Sequence, residues 1–481
     1  MASQAQKATA LPLPEKQAWP ALFALCIGFF MILLDQTIVA VATPVLQEEL
    51  GASYNQIIWV NSAYLLTFAV PLLVTGRLGD RYDPRNVYVL GMVIFTVSSL
   101  MCGLAPNIGA LIWWRAAQGL GAALLTPQTM SVINRIFAKE RRGAALGVWG
   151  MVAGLAGLTG PLAGGVISGS VGWQWIFIIN VPIGVISIAA VMRYLPSFPR
   201  SQRPIDALSV LLSIVAVFAV VFALQEGQQQ GWAPRIWVCM AFGIAVAALF
   251  VRQQGRAEAR GNDALMPLGL FRVHNFSLGL VGIFAQGFVI AGTPLPVMLY
   301  LQEVHGLTPL QAGLVTVPQS IAALVLSPYV GRLADRISPN LLAAGGFGAS
   351  ALCLAGLWVS MSAAWPIWTI VGILAVFGLA NSFIWAPNST SAMRDLQPQQ
   401  MGVASGTYNT IRQLGSVLGS AAVGAVLQWR IIIDSAGTAY GRSILLAAIV
   451  ISFGAVAALR ANTLSRGVEG APSTISNKAE Q

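Results

Sequence analysis

Charged residues are scarce in this sequence. Only 9% of the 481 residues are Asp, Glu, Lys or Arg, whereas an ordinary soluble domain carries about 25%. A chain with so few charges cannot cover a water-facing surface, which excludes a soluble globular protein. Hydrophobic residues make up 56% of the chain and form long uncharged runs, such as residues 143–192. Because about 20 apolar residues span a bilayer as a helix, the sequence predicts a polytopic membrane protein.

Cysteine and histidine are also rare, with four and two copies. The cysteines lie far apart within apolar segments, which predicts small packing residues rather than disulfides or metal ligands. The two histidines are isolated from one another, and the phosphate-binding pattern GxxxxGK[ST] is absent. We therefore expect no cofactor, no metal, no enzymatic nucleophile and no ATP hydrolysis by the chain itself.

Gly, Pro and charged clusters divide the apolar sequence into fourteen predicted membrane helices joined by short loops. An even number of spans places both termini on one side. The first span follows a polar leader without a small-residue cleavage site, so we expect it to be retained. The predicted spans are 19–46, 55–78, 86–106, 108–137, 141–170, 174–195, 205–225, 233–254, 275–303, 308–333, 340–362, 364–394, 400–428 and 438–460.

The net charge of +10 reflects membrane topology rather than a nucleic-acid partner. With the N-terminus inside, 22 of the 27 Lys and Arg residues fall in inner segments and only Arg235, Arg430 and Arg442 lie outside. Arg115 and Arg412 lie within predicted helices. This bias follows the positive-inside rule and predicts cytoplasmic N- and C-termini.

One polar peptide occurs twice. GRLGDRYDP at 76–84 returns as GRLADRISP at 331–339, and the same offset pairs Gly51 with Gly306 and Gln56 with Gln311. A constant offset through helix, loop and helix indicates duplicated six-helix bundles, an arrangement of transporters with the substrate site between the halves. The predicted divisions are a cytoplasmic leader 1–18, an N-terminal bundle 19–195, a two-helix insert 205–254, a C-terminal bundle 275–460 and a polar cytoplasmic tail 461–481.

Five motifs in order resemble those of the major facilitator superfamily, in its fourteen-span drug:proton antiporter branch. They are LDQTIVAVATP from Leu34, GRLGDRYDPR from Gly76, WRAAQGLGAA from Trp114, GLTGPLAGG from Gly157 and WQWIFIINVPIG from Trp173. Three positions depart from the usual patterns: Ala40 replaces a common Asn, Asp83 a Gly, and Gln174 an Arg.

The resemblance implies a monomeric, proton-coupled antiporter that exports small amphipathic drugs through the bacterial inner membrane by alternating access. Its expected partners are protons, membrane lipids and a small molecule, without nucleic acid. Two alternatives stay open: a dedicated exporter of one metabolite or lipid, and, in a different class, a passive channel or facilitator. A sensor or an enzyme is disfavoured, because neither a signalling domain nor a catalytic constellation is evident.

Asp35 is the one carboxylate predicted near the middle of a core helix, and Arg115 lies at a comparable depth in the fourth span. An ionised carboxylate at that depth costs several kcal/mol unless it faces water, meets a cation or becomes neutral. A structural ion pair would suffice to explain both residues. We favour a proton-coupling site, because a carboxylate between an apolar wall and a cation can bind and release a proton as its surroundings change.

The doubled loop predicts a conformational latch, with an orientation signal plus a turn as the simpler alternative. We expect Asp80 to cap a helix end or to pair with Arg81, Arg85, Arg141 or Arg142. The predicted latch residues are Gly76, Asp80, Arg81, Arg85, Asp335 and Arg336.

The fifth span carries small residues at three- and four-residue spacing, which allow close helix packing, and a proline that permits a bend. As the antiporter-motif helix it is expected to form a moving seam between the halves. Its motif residues are Gly157, Gly160, Pro161, Gly164 and Gly165.

Polar and aromatic residues on the helices that the resemblance places around a central cavity are the candidate substrate contacts. Trp and Tyr also occur in interfacial belts, so aromatic identity alone does not decide. An aromatic cavity suits lipophilic neutral or monovalent cationic substrates through stacking and cation–π contacts. The candidates are Tyr64, Gln118, Trp149, Gln286, Asn381, Trp385, Tyr408 and Arg412.

Overall fold

The structure, a computed structural model, describes residues 12–198, 206–260, 264–434 and 436–461, so most of the leader and of the polar tail lies outside the described residues. Within that part of the chain all regular structure is helical. We call the first eight α-helices the N-half. They are α1 (Glu15–Glu49), α2 (Tyr54–Ala69), α3 (Leu72–Tyr82), α4 (Pro84–Gly103), α5 (Ile108–Ile136), α6 (Arg142–Ser170), α7 (Trp175–Ile178) and α8 (Asn180–Tyr194).

Two helices, α9 (Ala207–Gln229) and α10 (Pro234–Ala259), follow as a pair and pack on each other. The last eight helices we call the C-half. They are α11 (His274–Gly292), α12 (Pro294–Glu303), α13 (Pro309–Ala334), α14 (Pro339–Ser362), α15 (Ile367–Ser382), α16 (Trp385–Met393), α17 (Met401–Ile433) and α18 (Ala436–Arg460).

Thirteen helical segments of the described chain are long and apolar enough to cross a membrane, and the bent pair α2 and α3 provides a fourteenth. The sequence prediction of an all-α protein with about fourteen spans is therefore confirmed. The second span is bent by 48° between the two helices, where Pro71 follows Val70. Proline lacks the N–H of the helix ladder and collides with the preceding turn, so it accounts for the break. Pro294 marks the similar boundary between α11 and α12.

The sequence repeat extends to the local capping chemistry. Ser53 starts α2 with a capping box closed by Gln56, and Thr308 starts α13 with the same box closed by Gln311. Each hydroxyl accepts a hydrogen bond from the backbone N–H three residues later, which satisfies a donor that the first turn leaves unpaired. Equivalent residues of the two halves therefore begin equivalent helices.

The halves meet mainly along two helix pairs, α6 with α13 and α3 with α17, and α6 also contacts α16 while α5 contacts α17. Close backbone contacts occur in both main pairs at the glycines that begin the two GRLxDR peptides, Gly76 and Gly331. We call this side of the molecule the latch face. The positive-inside bias predicts that it is cytoplasmic.

Candidate functional site

Asp35 and Arg115 form an ion pair inside the N-half. Arg115 NH1 lies 2.6 Å from Asp35 Oδ2, and both side chains are essentially without solvent exposure. The carboxylate comes from the middle of α1 and the guanidinium from the second turn of α5. Arg115 Nε also donates to the carbonyl oxygen of Val60 at 3.2 Å, which fixes the cation against α2.

Two amides complete the surroundings of the Asp35 carboxylate. Gln118 Nε2 donates to Oδ1 at 2.9 Å, and Asn180 Nδ2 donates to the same oxygen at 3.3 Å. Gln118 Oε1 in turn accepts from Arg115 NH1 at 2.7 Å. Asn180 begins α8 and also donates to Ser99 Oγ at 3.0 Å. The carboxylate thus receives charge-assisted hydrogen bonds from three side chains on two other helices.

Asn180 was not predicted as a site residue, although it lies within the WQWIFIINVPIG segment at 173–184. The sequence shows only that an amide side chain stands among apolar residues. Its contact with Asp35 is visible only in the folded structure. Gln118 was predicted to line the substrate cavity. In this structure its side chain is fully buried, and both ends of its amide are held within the Asp35 network, so it is not an open contact surface in this conformation.

Tyr64 packs on the guanidinium of Arg115. Its ring lies 4.3 Å from the Arg115 guanidinium, and its hydroxyl accepts a hydrogen bond from Gln36 Nε2 at 3.4 Å. Tyr64 is also within electrostatic reach of Arg412 of the C-half. Tyr64 is therefore a neutral neighbour of both Arg115 and Arg412.

The two halves make matching glycine contacts at the latch face. A side-chain carbon added to Gly76 would lie 2.5 Å from the carbonyl oxygen of Gly402 and 3.0 Å from Cα of Gly406. Gly331 is packed in the same way against Gly143 and Gly147 of α6. Backbones at this separation leave no space for a substrate, so the latch face is closed in this structure.

Each latch aspartate meets the first turn of a helix in the opposite half. Asp335 accepts hydrogen bonds from the backbone N–H groups of Gly143 and Ala144, at 2.7 and 2.8 Å. Asp80 lies against Gly402 at the start of α17. A carboxylate at a helix N-terminus is stabilised by unpaired N–H groups and by the helix dipole. Burial raises the pKa of Asp335 to about 6, although its two backbone hydrogen bonds act in the opposite direction.

The basic partner of Asp80 is Arg135, at the end of α5. The pairing predicted from the sequence, with Arg81, Arg85, Arg141 or Arg142, is not the one that the structure shows. Arg85 donates to the carbonyl oxygen of Met192, while Arg81 stacks on Tyr82. Arg336 is exposed. Arg135 reaches Asp80 because α5 returns beside α3, a proximity that sequence separation hides.

Asp83, which replaces the usual glycine of the loop motif, has a φ of 80°. This left-handed conformation explains why glycine is common there. Its side chain offsets the strain by accepting hydrogen bonds from the backbone N–H groups of Arg85 at 3.0 Å and Phe198 at 3.1 Å. The substitution therefore caps α4 and fixes the end of the N-half.

The small residues of α6 face two different neighbours. Gly154 packs on Leu324 of α13, and Gly157 lies near Ser320, so these two belong to the seam between the halves. Gly160 instead packs on Thr37 of α1, within the N-half. The predicted assignment of Gly160 to the moving seam is therefore wrong in this structure. Gly164 is buried in the same helix, and the side-chain environments of Pro161 and Gly165 lie outside the described part.

The aromatic candidates bring the two halves into contact. Trp149 of α6 stacks on Phe29 at 4.4 Å, and its ring meets Trp385 of α16 edge to face at 5.3 Å. Arg412 lies over the Trp385 ring at 5.7 Å. One face of Trp385 is thus already covered by a cation, so the structure does not support its use as a cation–π site for a monovalent cationic substrate.

The remaining candidates are engaged within the C-half. Tyr408 is buried, and its hydroxyl accepts hydrogen bonds from Asn388 Nδ2 at 2.8 Å and Ser389 Oγ at 3.2 Å. Gln286 Nε2 donates to Asn381 Oδ1 at 2.7 Å. Tyr408 is therefore a packing residue of α16 and α17 in this conformation rather than an open contact surface.

Comparison with known proteins is consistent across sequence and fold. A sequence profile described as Major Facilitator Superfamily matches residues 25–420. An uncharacterised MFS-type transporter of Mycobacterium tuberculosis is 43% identical, covering 92% of this chain and 81% of the relative. A methylenomycin A resistance protein of Streptomyces coelicolor is 36% identical, covering 84% of each chain. The crystal structure of the human organic anion transporter MFSD10 aligns with a TM-score of 0.66 over 91% of this chain and 100% of that chain. Its 14% identity bears on the fold alone.

Proposed function

The chain belongs to the Major Facilitator Superfamily, and on that premise we propose that it is a proton-coupled antiporter that exports small amphipathic compounds by alternating access. It is a multi-pass transporter of the cytoplasmic membrane and not an enzyme. The resistance function named for the Streptomyces relative supports export of an antibiotic-like molecule. With the latch face on the cytoplasmic side, the structure corresponds to a state closed toward the cytoplasm.

The observation that carries the proposal is the Asp35 network. A buried carboxylate with one cation and two amide donors is balanced while ionised. Protonation would remove the attraction to Arg115, leaving that cation with only neutral acceptors, Gln118 and Val60. Because an unpaired buried charge is costly, the proton would favour a rearrangement of α1 against α5. The proton gradient could in this way shift the equilibrium between the inward-open and outward-open states.

The energetics suit export. For a neutral substrate, one entering proton delivers about 2.3 kcal/mol per 100 mV of membrane potential and about 1.4 kcal/mol per pH unit. No cofactor is needed in this scheme, because the proton gradient is the energy source. The α9–α10 pair takes no part in the proposed coupling.

Transport by Asp35→Asn in proteoliposomes tests the function. With an imposed pH gradient and a panel of dyes and drugs, the wild-type protein should accumulate substrate against its gradient and move protons when substrate is added. Asp35→Asn should abolish both activities. Glu48→Gln is the control, since Glu48 is an exposed carboxylate near the C-terminal end of α1. Undiminished uphill transport by Asp35→Asn would refute the coupling role, and downhill flux alone in the wild type would favour a passive facilitator.

A further inference from the structure

Arg412 is a cation within a membrane-spanning helix that lies outside the Asp35 network. It lies twelve residues into α17, near the middle of the membrane-spanning helix, and is half-buried. Among the residues that the structure describes, no carboxylate lies within ion-pair distance of its guanidinium, and its Nε has no hydrogen-bond partner. Tyr408 and Tyr64, both neutral phenols, are its electrostatic neighbours.

Arg115 and Arg135 differ from Arg412 because each has a carboxylate partner. Arg115 is paired with Asp35 and Arg135 with Asp80, within the same half in each case. A guanidinium inside a membrane is expensive when it is unpaired. Packing does not explain why an unpaired guanidinium stands at this position. An apolar residue of similar length would fill the same space without the free-energy cost of an unpaired charge. An anionic ligand that pairs with the guanidinium would remove this cost.

The side chains beside Arg412 also offer donors. Trp385, which lies beneath the guanidinium, and Trp149, which touches Trp385, each have a buried indole N–H without an acceptor in the described chain. Three donor groups from α6, α16 and α17 therefore lie along one line of contacts where the halves meet. Buried donors without acceptors are costly unless a ligand or water satisfies them.

We propose that Arg412 binds the anionic group of the substrate, a carboxylate or a phenolate on an amphipathic aromatic molecule, with the indole N–H groups of Trp385 and Trp149 as further donors. This inference rests on the proposed export function and specifies its substrate class. Arginine suits the role because its planar guanidinium presents a fork of donors to a carboxylate. Substrate export would then leave the guanidinium free for the next anion.

An anionic substrate also changes the energetics of export. When one monovalent anion leaves in exchange for one entering proton, the equivalent of two positive charges moves into the cell. A membrane potential that is negative inside then drives both movements. A monovalent cation exchanged for a proton would gain nothing from the potential and would be repelled by Arg412.

A charge series on one aromatic body tests the proposal. The probes are 1-pyrenebutyrate, 1-pyrenebutanol and 1-pyrenebutylammonium, and their fluorescence reports binding to the full-length protein in phosphatidylcholine nanodiscs. We expect the wild type to bind the carboxylate most tightly and the ammonium least. Arg412→Gln should weaken carboxylate binding by about 10- to 100-fold and leave the alcohol nearly unchanged, since a hydrogen bond to a charged group is lost.

Two further variants separate charge recognition from folding. Arg412→Lys keeps the charge and loses the fork, so it should retain the order of the three probes with weaker carboxylate binding. Arg430→Gln is the matched control, because Arg430 lies on the same helix over the ring of Trp429 at 4.4 Å but is paired with Asp434. It should leave all three affinities unchanged.

The inference is overturned if the wild type fails to bind the carboxylate, if it binds the alcohol or the ammonium at least as tightly, or if Arg412→Gln weakens the three probes equally. Adding phosphatidylglycerol to the nanodiscs distinguishes a lipid headgroup from a soluble substrate. Strong competition by that lipid would assign the site to lipid and reject the small-molecule version. These binding measurements need no proton gradient, so they can fail while the Asp35→Asn transport test succeeds, or the reverse.

Discussion

Asn180 Nδ2 donates a hydrogen bond to Asp35 Oδ1 across 3.3 Å, although the two residues are 145 positions apart. This contact ties the start of α8 to the middle of α1. It also means that the surroundings of the Asp35 carboxylate depend on three helices, α1, α5 and α8, rather than on one ion pair.

Asn180→Ala should therefore impair function as well as stability. Loss of a hydrogen bond to a charged, buried group costs about 1.5–3 kcal/mol, and Ser99 loses a donor at the same time. We expect lower stability in denaturant or heat and slower proton-coupled transport, with Asn180→Asp more severe because a second carboxylate would face Asp35. Asn86→Ala, at an exposed position of α4, is the control. Normal transport and stability in Asn180→Ala would show that the contact is dispensable.

Enlarging a seam glycine should hold the latch face open. Gly76→Ala and Gly331→Ala each place a carbon against backbone atoms of the opposite half, which cannot move away as a flexible side chain could. Spin labels at Tyr82→Cys and Ile337→Cys, on exposed positions of the two halves, would report a longer distance. Gly348→Ala, which has open space around it, should leave the distance unchanged. An unaltered distance in both seam variants would contradict closure by glycine packing.

The Asp80–Arg135 pair predicts an asymmetry among the arginines near the first latch peptide. Removing one partner of a buried ion pair costs about 3–5 kcal/mol, and both side chains here are less than 10% exposed. Arg135→Gln should destabilise the closed state and slow transport by at least about tenfold, since each 1.4 kcal/mol corresponds to that factor. Arg81→Gln should have little effect. The idea fails if transport is more sensitive to Arg81 than to Arg135.

Closure at the latch face should respond to pH through Asp335. Its pKa is raised to about 6 in the closed arrangement, whereas a solvated aspartate has a pKa of about 3.9. Protons thus bind more tightly to the closed state, and acid favours it. This stabilisation of the closed state by acid is fully present below about pH 4 and is lost as the pH rises through 6. Glu140 and Arg141 also act on this carboxylate.

The same spin-label distance measures this effect between pH 7.5 and 5. The fraction of open molecules should fall on acidification of the wild type. Asp335→Asn should remove most of the change, while Asp206→Asn, at an exposed loop aspartate, should keep it. Equal pH responses in the wild type and Asp335→Asn would exclude Asp335 as the titrating group.

Much of this protein followed from the sequence because membrane insertion constrains composition directly. Every membrane span needs a long apolar run, and each run ends at charged residues, glycine or proline. The number of spans and the all-α fold class could therefore be predicted from the sequence. The repeat was readable as well, because equal offsets preserve the capping boxes at Ser53 and Thr308 and the peptides at Gly76 and Gly331. The rarity of buried charge singled out Asp35, Arg115 and Arg412.

Partner choice was decided by the tertiary structure. Several long membrane helices, such as α1 and α13, have nearly uniform hydropathy around the helix axis, so periodicity does not show which residue meets which neighbour. Arg135 rather than Arg81 reaches Asp80 because α5 returns beside α3, and Gln118 is buried with Asp35 because α1 crosses α5 at that level. Gly160 faces α1 and Gly154 faces α13, although both belong to one run of small residues. Arg412 has no carboxylate partner among the described residues, and this likewise depends on which side chains the fold brings near it. No single segment of the sequence shows it.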